Sequence, residues 1–257
     1  MSQVDLNSDL GESFGPYTIG NDSEMLKIIT SANVACGFHG GDPLVMHRTL
    51  ELARENGVGV GAHPGFNDLW GFGRRQIRVQ DVGEIEKMLI YQVGALQGMG
   101  RACEVPVTHY KLHGALGNMA CIDAELAMAA ARAIKAVDQD LIFVVLPGSE
   151  LERAGEALGL KIAKEIFADR AYDDDGMLVQ RGLPGAMIED SAEAASRMVR
   201  FVEDGAIVSQ SGKRIEVEID TICVHGDSPS AVAMATEVRN ALVLAGIDIV
   251  PMAQRFN

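Results

Sequence analysis

Short apolar runs recur along the chain and alternate with longer stretches whose apolar residues repeat at helical spacing. The runs at 3–7 (QVDLN), 31–36 (SANVAC), 57–62 (GVGVGA), 105–112 (VPVTHYKL), 141–146 (LIFVVL), 161–167 (KIAKEIF) and 220–225 (DTICVH) predict seven strands. The stretches 22–30, 43–56, 81–99, 121–138, 148–158, 190–204 and 228–245 predict helices between them. Punctuation agrees. Pro43 follows a capping Asp42, Pro229 follows Ser228 in the same way, and Pro147-Gly148 closes one strand and opens the next helix. Asp81 caps a stretch that places Val82, Ile85, Met88, Leu89 and Leu96 at near-helical spacing.

Alternating β and α elements imply parallel strands joined by right-handed crossovers. Six or seven such units within 257 residues make either a closed barrel or a doubly wound sheet. One segment breaks the rhythm: AIVSQSGKRIEVEI (206–219) reads as a hairpin outside the main sheet. No repeat and no Pro- or Ser-rich linker interrupts the chain, so one domain over 1–257 is expected.

Polar residues crowd the predicted strand ends, where parallel α/β folds gather functional groups. The first strand runs into Asp5-Leu-Asn7-Ser-Asp9-Leu-Gly-Glu12. Asp5, Asn7 and Asp9 share one side while the chain stays extended. A carboxylate on an inner strand face costs several kcal/mol unless it is paired, hydrogen-bonded or metal-bound. Capping of loops is the plain alternative for these acids. Five of the six histidines, His39, His63, His109, His113 and His225, lie at or near strand ends, four of them beside Gly or Pro. His47 falls within a helical pattern and reads as a surface residue. His109 shares the His113 side only if its strand is irregular, so it stays outside the candidate set. Dispersed His and Asp without an H-E-x-x-H motif suit either an open metal site or acid–base chemistry, and the sequence does not separate the two.

Lys111, Arg74, Arg75 and Arg170 supply cations. The loop GFGRR (71–75) can clamp a carboxylate or phosphate, or simply be a solvated charged loop. In DRAYDDDG (169–176), Asp169 and Arg170 are candidates and Asp173 to Asp175 read as solvent-facing. Asn33 in SANVAC and Asp227 in VHGDSP complete the binding candidates.

Composition narrows the classes. Hydrophobic residues are 47% and charged residues 23%, enough apolar surface for a folded core. A net charge of −14 disfavours nucleic acid and anionic membranes as partners. Cys36, Cys103, Cys121 and Cys223 contain no C-x-x-C pair. That cysteine usage, an N-terminal MSQVDLNSDLGE without signal-peptide character, and apolar runs too short for a bilayer together lead us to expect a cytoplasmic protein. There is no G-x-x-x-x-G-K-[ST], no G-x-G-x-x-G after the first strand and no G-x-S-x-G, which disfavours a P-loop nucleotide site, a dinucleotide oxidoreductase and a serine hydrolase.

The strings DLNSDLGE, SANVACGFHGGDP, GAHPGFNDLWGFGRR, KLHGALGN, FADRAYDDDG, RGLPGAMI and CVHGDSP resemble, in order and spacing, the lactam-utilisation proteins, which form the A-subunits of bacterial ATP-dependent 5-oxoprolinase. The resemblance spans essentially the whole chain. Two strings depart from it: the family's KPHGALYN has Leu112 and Gly117 here, and HAGDP has Gly40. The resemblance implies an irregular seven-stranded (β/α) barrel similar to polysaccharide deacetylases. It implies opening of 5-oxo-L-proline to L-glutamate with ATP hydrolysis, in concert with subunits B and C. ATP and its magnesium are then expected on, or shared with, those partners, with self-association left open. Against that background Asp5 or Asp9, oriented by His63 or His113, is expected to be the general base, and Lys111 to stabilise charge developing on oxygen. Asn7, Glu12, Asn33, His39, Arg74, Arg75, Asp169, Arg170, His225 and Asp227 are expected to bind substrate. A metal-dependent deacetylase-like hydrolase acting alone, or a non-catalytic scaffold protein, are the alternatives.

Overall fold

The computed structural model describes residues 2–226 and 231–256. Seven parallel strands close on themselves: β1 (Gln3–Leu10), β2 (Ser31–Ala35), β3 (Gly59–His63), β4 (Val107–Lys111), β5 (Ile142–Val145), β6 (Ile162–Phe167) and β9 (Thr221–Cys223), with β9 hydrogen-bonded to both β6 and β1. Closure aligns Asp5 with Thr221 and Asn7 with Cys223. On its other side β1 pairs Asn7 with Ser31 and Asp9 with Asn33. The short hairpin β7 (Ala206–Val208) and β8 (Arg214–Glu216) is antiparallel and lies outside the barrel sheet.

Helices α2 (Pro43–Asn56), α3 (Val82–Ala102), α5 (Ala124–Val137), α6 (Glu150–Leu158), α7 (Ser191–Asp204) and α8 (Ala231–Leu244) cover the barrel, with the one-turn α1 (Asp22–Met25) and the short α4 (Gly114–Ala120) at its rim. The N-cap reading at Asp42 holds: its carboxylate accepts from the Leu44 and Val45 N–H groups, and Asp81 accepts from Gly83 N–H. The helix predicted over 121–138 is α5, which Asp123 caps, and the short α4, which the sequence pattern does not predict, precedes it directly from the His113 strand end.

Outward strand residues such as Leu6, Val34, Val60, Tyr110, Phe143 and Ile166 form the main core with the helices. The inward residues are mostly polar, which period-two alternation on a closed barrel makes possible. On one side of the interior Ile142, Val144, Ala163 and Met252 make a separate apolar cluster. Met252 arrives there because the chain returns after α8, pairing β10 (Asp248–Ile249) with Gln3–Val4 before the final turn α9 (Met252–Arg255). Neither β10 nor α9 has a periodic signature long enough to be seen in the sequence. Among the described residues, no helix is long and apolar enough to cross a membrane.

Asp5 sits near the start of β1, at the amino end of the barrel. Its carboxylate accepts from Ser31 Oγ (2.6 Å), Thr221 Oγ1 (2.6 Å), Thr30 Oγ1 (2.8 Å) and the Met252 N–H (3.0 Å). Burial raises its pKa against those hydrogen bonds. Above it the interior is a continuous polar column. His109 bonds Asn33 Oδ1 (3.0 Å), and Asn33 donates to Asn7 Oδ1 (2.7 Å) and Asp9 Oδ1 (2.9 Å). Asn7 in turn donates to Glu165 Oε1 (3.0 Å). Gly61 gives His109 its place, since a Cβ at that position would overlap the imidazole.

Candidate active site

The polar column opens, at the carboxyl end of the barrel, into a cavity of about 770 Å³. Its floor is Lys111, from the end of β4. Burial opposes the Lys111 charge, but Asp9 Oδ1 at 3.0 Å and Glu165 Oε1 at 2.8 Å hold its pKa well above the ordinary lysine value. Asp9 is the reciprocal case: burial pushes its pKa up, yet His63 and Lys111 prevail and hold it well below the carboxylate range. Glu165 has its pKa raised by burial despite Lys111. Cys223 presents its sulfur 3.2 Å from Lys111 Nζ and remains a thiol, because burial lifts its pKa well above the usual value.

One wall is histidine. His63 Nε2 lies 3.2 Å from Asp9 Oδ2 and 3.0 Å from His113 Nδ1. His39, fully buried, bonds Glu12 Oε1 at 3.0 Å and stacks on His113 with ring centroids 3.6 Å apart. Burial drives His39 and His113 well below the ordinary histidine pKa, so both are neutral at pH 7. The opposite wall carries His225, whose Nδ1 meets Asp169 Oδ2 at 2.7 Å. Burial alone would lower its pKa, but Asp169 reverses the sign and raises it. Replacing Asp169 with Asn is therefore expected to lower the His225 pKa, as burial is then opposed only by the charge of Asp9. Histidine ring proton shifts followed by NMR against pH check this; an unmoved His225 would refute the pairing.

The candidate residues thus sort by place. Asp9, Glu12, His63, Arg74, Lys111, His113, Arg170 and His225 line the cavity. His39 and Asp169 stand directly behind Glu12 and His225. Asn7 and Asn33 lie in the column beneath the floor, holding Asp9 and Glu165 rather than facing the cavity. Asp5 is at the far end of the barrel and does not reach the cavity, because its place at the start of β1 puts it two inward positions below Asp9. Arg75 turns away and pairs with Asp68, while Arg74 lines the cavity with its guanidinium 4.9 Å from the Phe72 ring centroid. Asp227 lies outside the described residues. Leu112 and Gly117, the two departures within KLHGALGN, both line the cavity.

Sequence reasoning missed Glu165, Cys223 and Arg181. Glu165 was legible: within KIAKEIF it shares a face with Ala163 and Phe167, which is the inner face of β6. His109, set aside on the sequence, is a buried member of the column with its pKa lowered to about 3 by burial. Arg170 is buried, donates to the Val179 carbonyl at 2.7 Å, and leaves Nε without a partner among the described residues. Arg181 joins it at the cavity, and their mutual repulsion adds to burial in lowering the Arg170 pKa to about 10.

Comparison with known proteins agrees with this architecture. The chain is 54% identical over 253 residues to the 5-oxoprolinase A-subunit of Rhodopseudomonas palustris (strain BisB5), covering 98% of this chain and 100% of that one. The crystal structure of a lactam utilization protein from Thermus thermophilus superposes with a TM-score of 0.91 at 44% identity, covering 96% of this chain and 99% of that one. A deacetylase with bound substrate shares the fold alone, at a TM-score of 0.50 and 14% identity, covering 99% of this chain and 90% of that one. Residues 4–257 match the LamB/YcsF family model, and the chain belongs to the LamB/YcsF family.

Proposed function

We propose that this chain is the lactam-binding subunit of an ATP-dependent 5-oxoprolinase, opening 5-oxo-L-proline to L-glutamate together with partner subunits B and C. The observation that carries the reading is Lys111, a buried cation fixed between Asp9 and Glu165 on a cavity floor, with guanidiniums on the wall. The names of the relatives supply the substrate.

The chemistry demands activation. A five-membered lactam is nearly unstrained and its amide resonance is intact, so water attacks it poorly. Phosphorylation of the lactam oxygen by ATP makes C5 electrophilic. The chain has no G-x-x-x-x-G-K-[ST] loop, and we place triphosphate binding and phosphoryl transfer, with magnesium, on the partners or at a site shared with them. On this chain, Arg170, Arg181 and Arg74 suit the anionic carboxylate and phosphoryl groups of such a substrate. Water then bonds to C5, the C5–N bond breaks as nitrogen takes a proton, and a second water releases phosphate from the acyl phosphate that remains. Lys111, held in place between Asp9 and Glu165, opposes the negative charge that grows on oxygen, a contribution of several kcal/mol.

The geometry redistributes the proton work. Asp9 is ionised, but Lys111 and His63 keep it a weak base, and weak bases transfer protons poorly near neutral pH. His225, poised by Asp169 and facing the cavity, is better matched to move protons there.

The test is 5-oxoproline-dependent ATP turnover, measured for the chain alone and for mixtures with candidate partner subunits. Turnover only in the mixture is expected; turnover by the chain alone would remove the partner requirement, and none in any mixture would remove the reaction. Arg170→Gln is expected to raise KM for 5-oxoproline by about 10-fold or more with a smaller change in kcat, the loss of one charge-assisted bond. An unchanged KM would take Arg170 out of substrate binding.

A further inference from the structure

The histidine wall holds an arrangement that acid–base chemistry does not explain. His63 Nδ1 faces the Lys111 carbonyl oxygen at 2.9 Å, and His113 Nε2 faces the Phe72 carbonyl oxygen at 2.7 Å. A carbonyl only accepts, so in each ring the proton sits on that nitrogen. The remaining nitrogens, His63 Nε2 and His113 Nδ1, then carry lone pairs, and they point at each other from 3.0 Å. Two facing lone pairs repel, so a positive charge belongs between them: a proton on His63 Nε2, which would also face Asp9 Oδ2 at 3.2 Å, or a metal ion in its place.

Several features favour the metal. Histidines that bind metals characteristically donate the distal N–H to a backbone carbonyl or carboxylate, and here two of them do. Glu12 Oε1 lies 3.4 Å from His113 Nδ1, and the donor atoms of Glu12, His39, His63 and His113 all fall within 4.8 Å of one another. Glu12, His63 and His113 come from the ends of three different strands and all border the cavity, which leaves an open coordination position on its side. Two imidazoles, one carboxylate and an open position form an established donor set for zinc and similar divalent ions. Asp9 Oδ2, 3.2 Å from His63 Nε2, stays engaged with the Lys111 side of the site through its other oxygen.

His39 is of a different kind. Its Nδ1 is buried with no partner among the described residues. Were its Nε2 to ligate an ion, the bond from Nε2 to the Glu12 carboxylate would be lost, a charge-assisted bond of about 1.5–3 kcal/mol, while Nδ1 would gain no partner. The proton therefore stays on Nε2 and is donated to Glu12 Oε1 at 3.0 Å. His39 orients the carboxylate and, by stacking, the His113 ring. Gly65 and Gly73 allow the stacked pair to pack, since a Cβ at Gly73 would fall 2.7 Å from side-chain atoms of both His39 and His113.

We infer that Glu12, His63 and His113 bind a divalent transition-metal ion, zinc foremost, with His39 as the positioning residue for Glu12. The inference rests on this geometry and not on the proposed reaction. It is tested on the full chain, stripped with a chelator, dialysed and titrated with Zn²⁺ against a chromophoric competitor. One equivalent is expected to bind and to raise the melting temperature. His63→Ala and His113→Ala are each expected to lose at least about 100-fold in affinity, whereas His39→Gln keeps the stoichiometry and loses about 10–100-fold, as outer-shell changes do. Because an alanine variant can fail to fold, X-ray absorption on the zinc-loaded unaltered chain gives an independent reading: two imidazoles and no sulfur. Binding no tighter than that of the His63→Ala/His113→Ala double variant would overturn the site. Three imidazoles would make His39 a ligand and overturn the assignment. A Zn–S shell would overturn it too, placing the ion at the other cluster, Asp9, Cys223 and His225.

Discussion

Lys111→Met is expected to lower the unfolding free energy by about 3–5 kcal/mol at neutral pH, the usual consequence of removing one partner from a buried ion pair. Asp9 and Glu165 would keep their burial and lose the cation that compensates it. Turnover in the reconstituted complex is expected to fall at least about 100-fold, with the variant assayed where it remains folded. From the sequence alone this swap looks close in size and harmless to folding; the structure gives reason to expect a cost, because the lysine is the shared partner of two buried carboxylates. The pH dependence identifies the cause. In the unaltered chain the depressed pKa of Asp9 adds stability that is present above 3.8 and lost as pH falls through the lower folded value. In the variant, buried carboxylates without a cation prefer to be protonated, so they weaken the fold as pH rises. The stability gap between the two proteins should therefore widen from acid to neutral pH and then level off. Urea denaturation across that range measures it, and a gap independent of pH would mean that lost packing, not charge, is responsible.

Gly61→Ala is expected to cost about 3 kcal/mol, toward the upper end of overpacking effects, since the new methyl group would occupy the space of the His109 ring. His109 cannot step aside freely: its Nε2 is tied to Asn33, and Asn33 to Asp9. The double variant Gly61→Ala/His109→Ala is expected to recover part of the loss, because the methyl then has room. If the double variant is as unstable as the sum of the singles, the collision is not the cause.

The barrel itself is legible because its strands are buried on both faces and separated by capped helices of ordinary length. The inner surface is half legible. Alternation places Asp5, Asn7 and Asp9 correctly on one side of β1, but it gives a face and not a height along the barrel axis, so it groups Asp5 with a cavity that Asp5 does not reach. Arg74 and Arg75 show the same limit in a loop. Adjacent in sequence, they diverge because Asp68 captures Arg75, a contact that only the folded loop defines. For Glu165, alternation gives the inner face of β6 but no sign that a lysine from two strands away will meet it.

The way the barrel closes has a consequence for its biogenesis. The strand made first, β1, has its closing neighbour in β9, and the bond from Thr221 to Asp5 spans 216 residues of chain. At a synthesis rate of roughly 5–20 residues per second, β1 waits about 10–40 s for that partner to be translated. During the wait one edge of β1 and the apolar side of the growing sheet are exposed to other chains. The Met252 N–H that completes the Asp5 shell comes later still, close to the end of the chain. Nascent chains of this protein are thus natural clients for chaperones that bind extended apolar segments, and the native barrel is assembled only when nearly the whole chain is available.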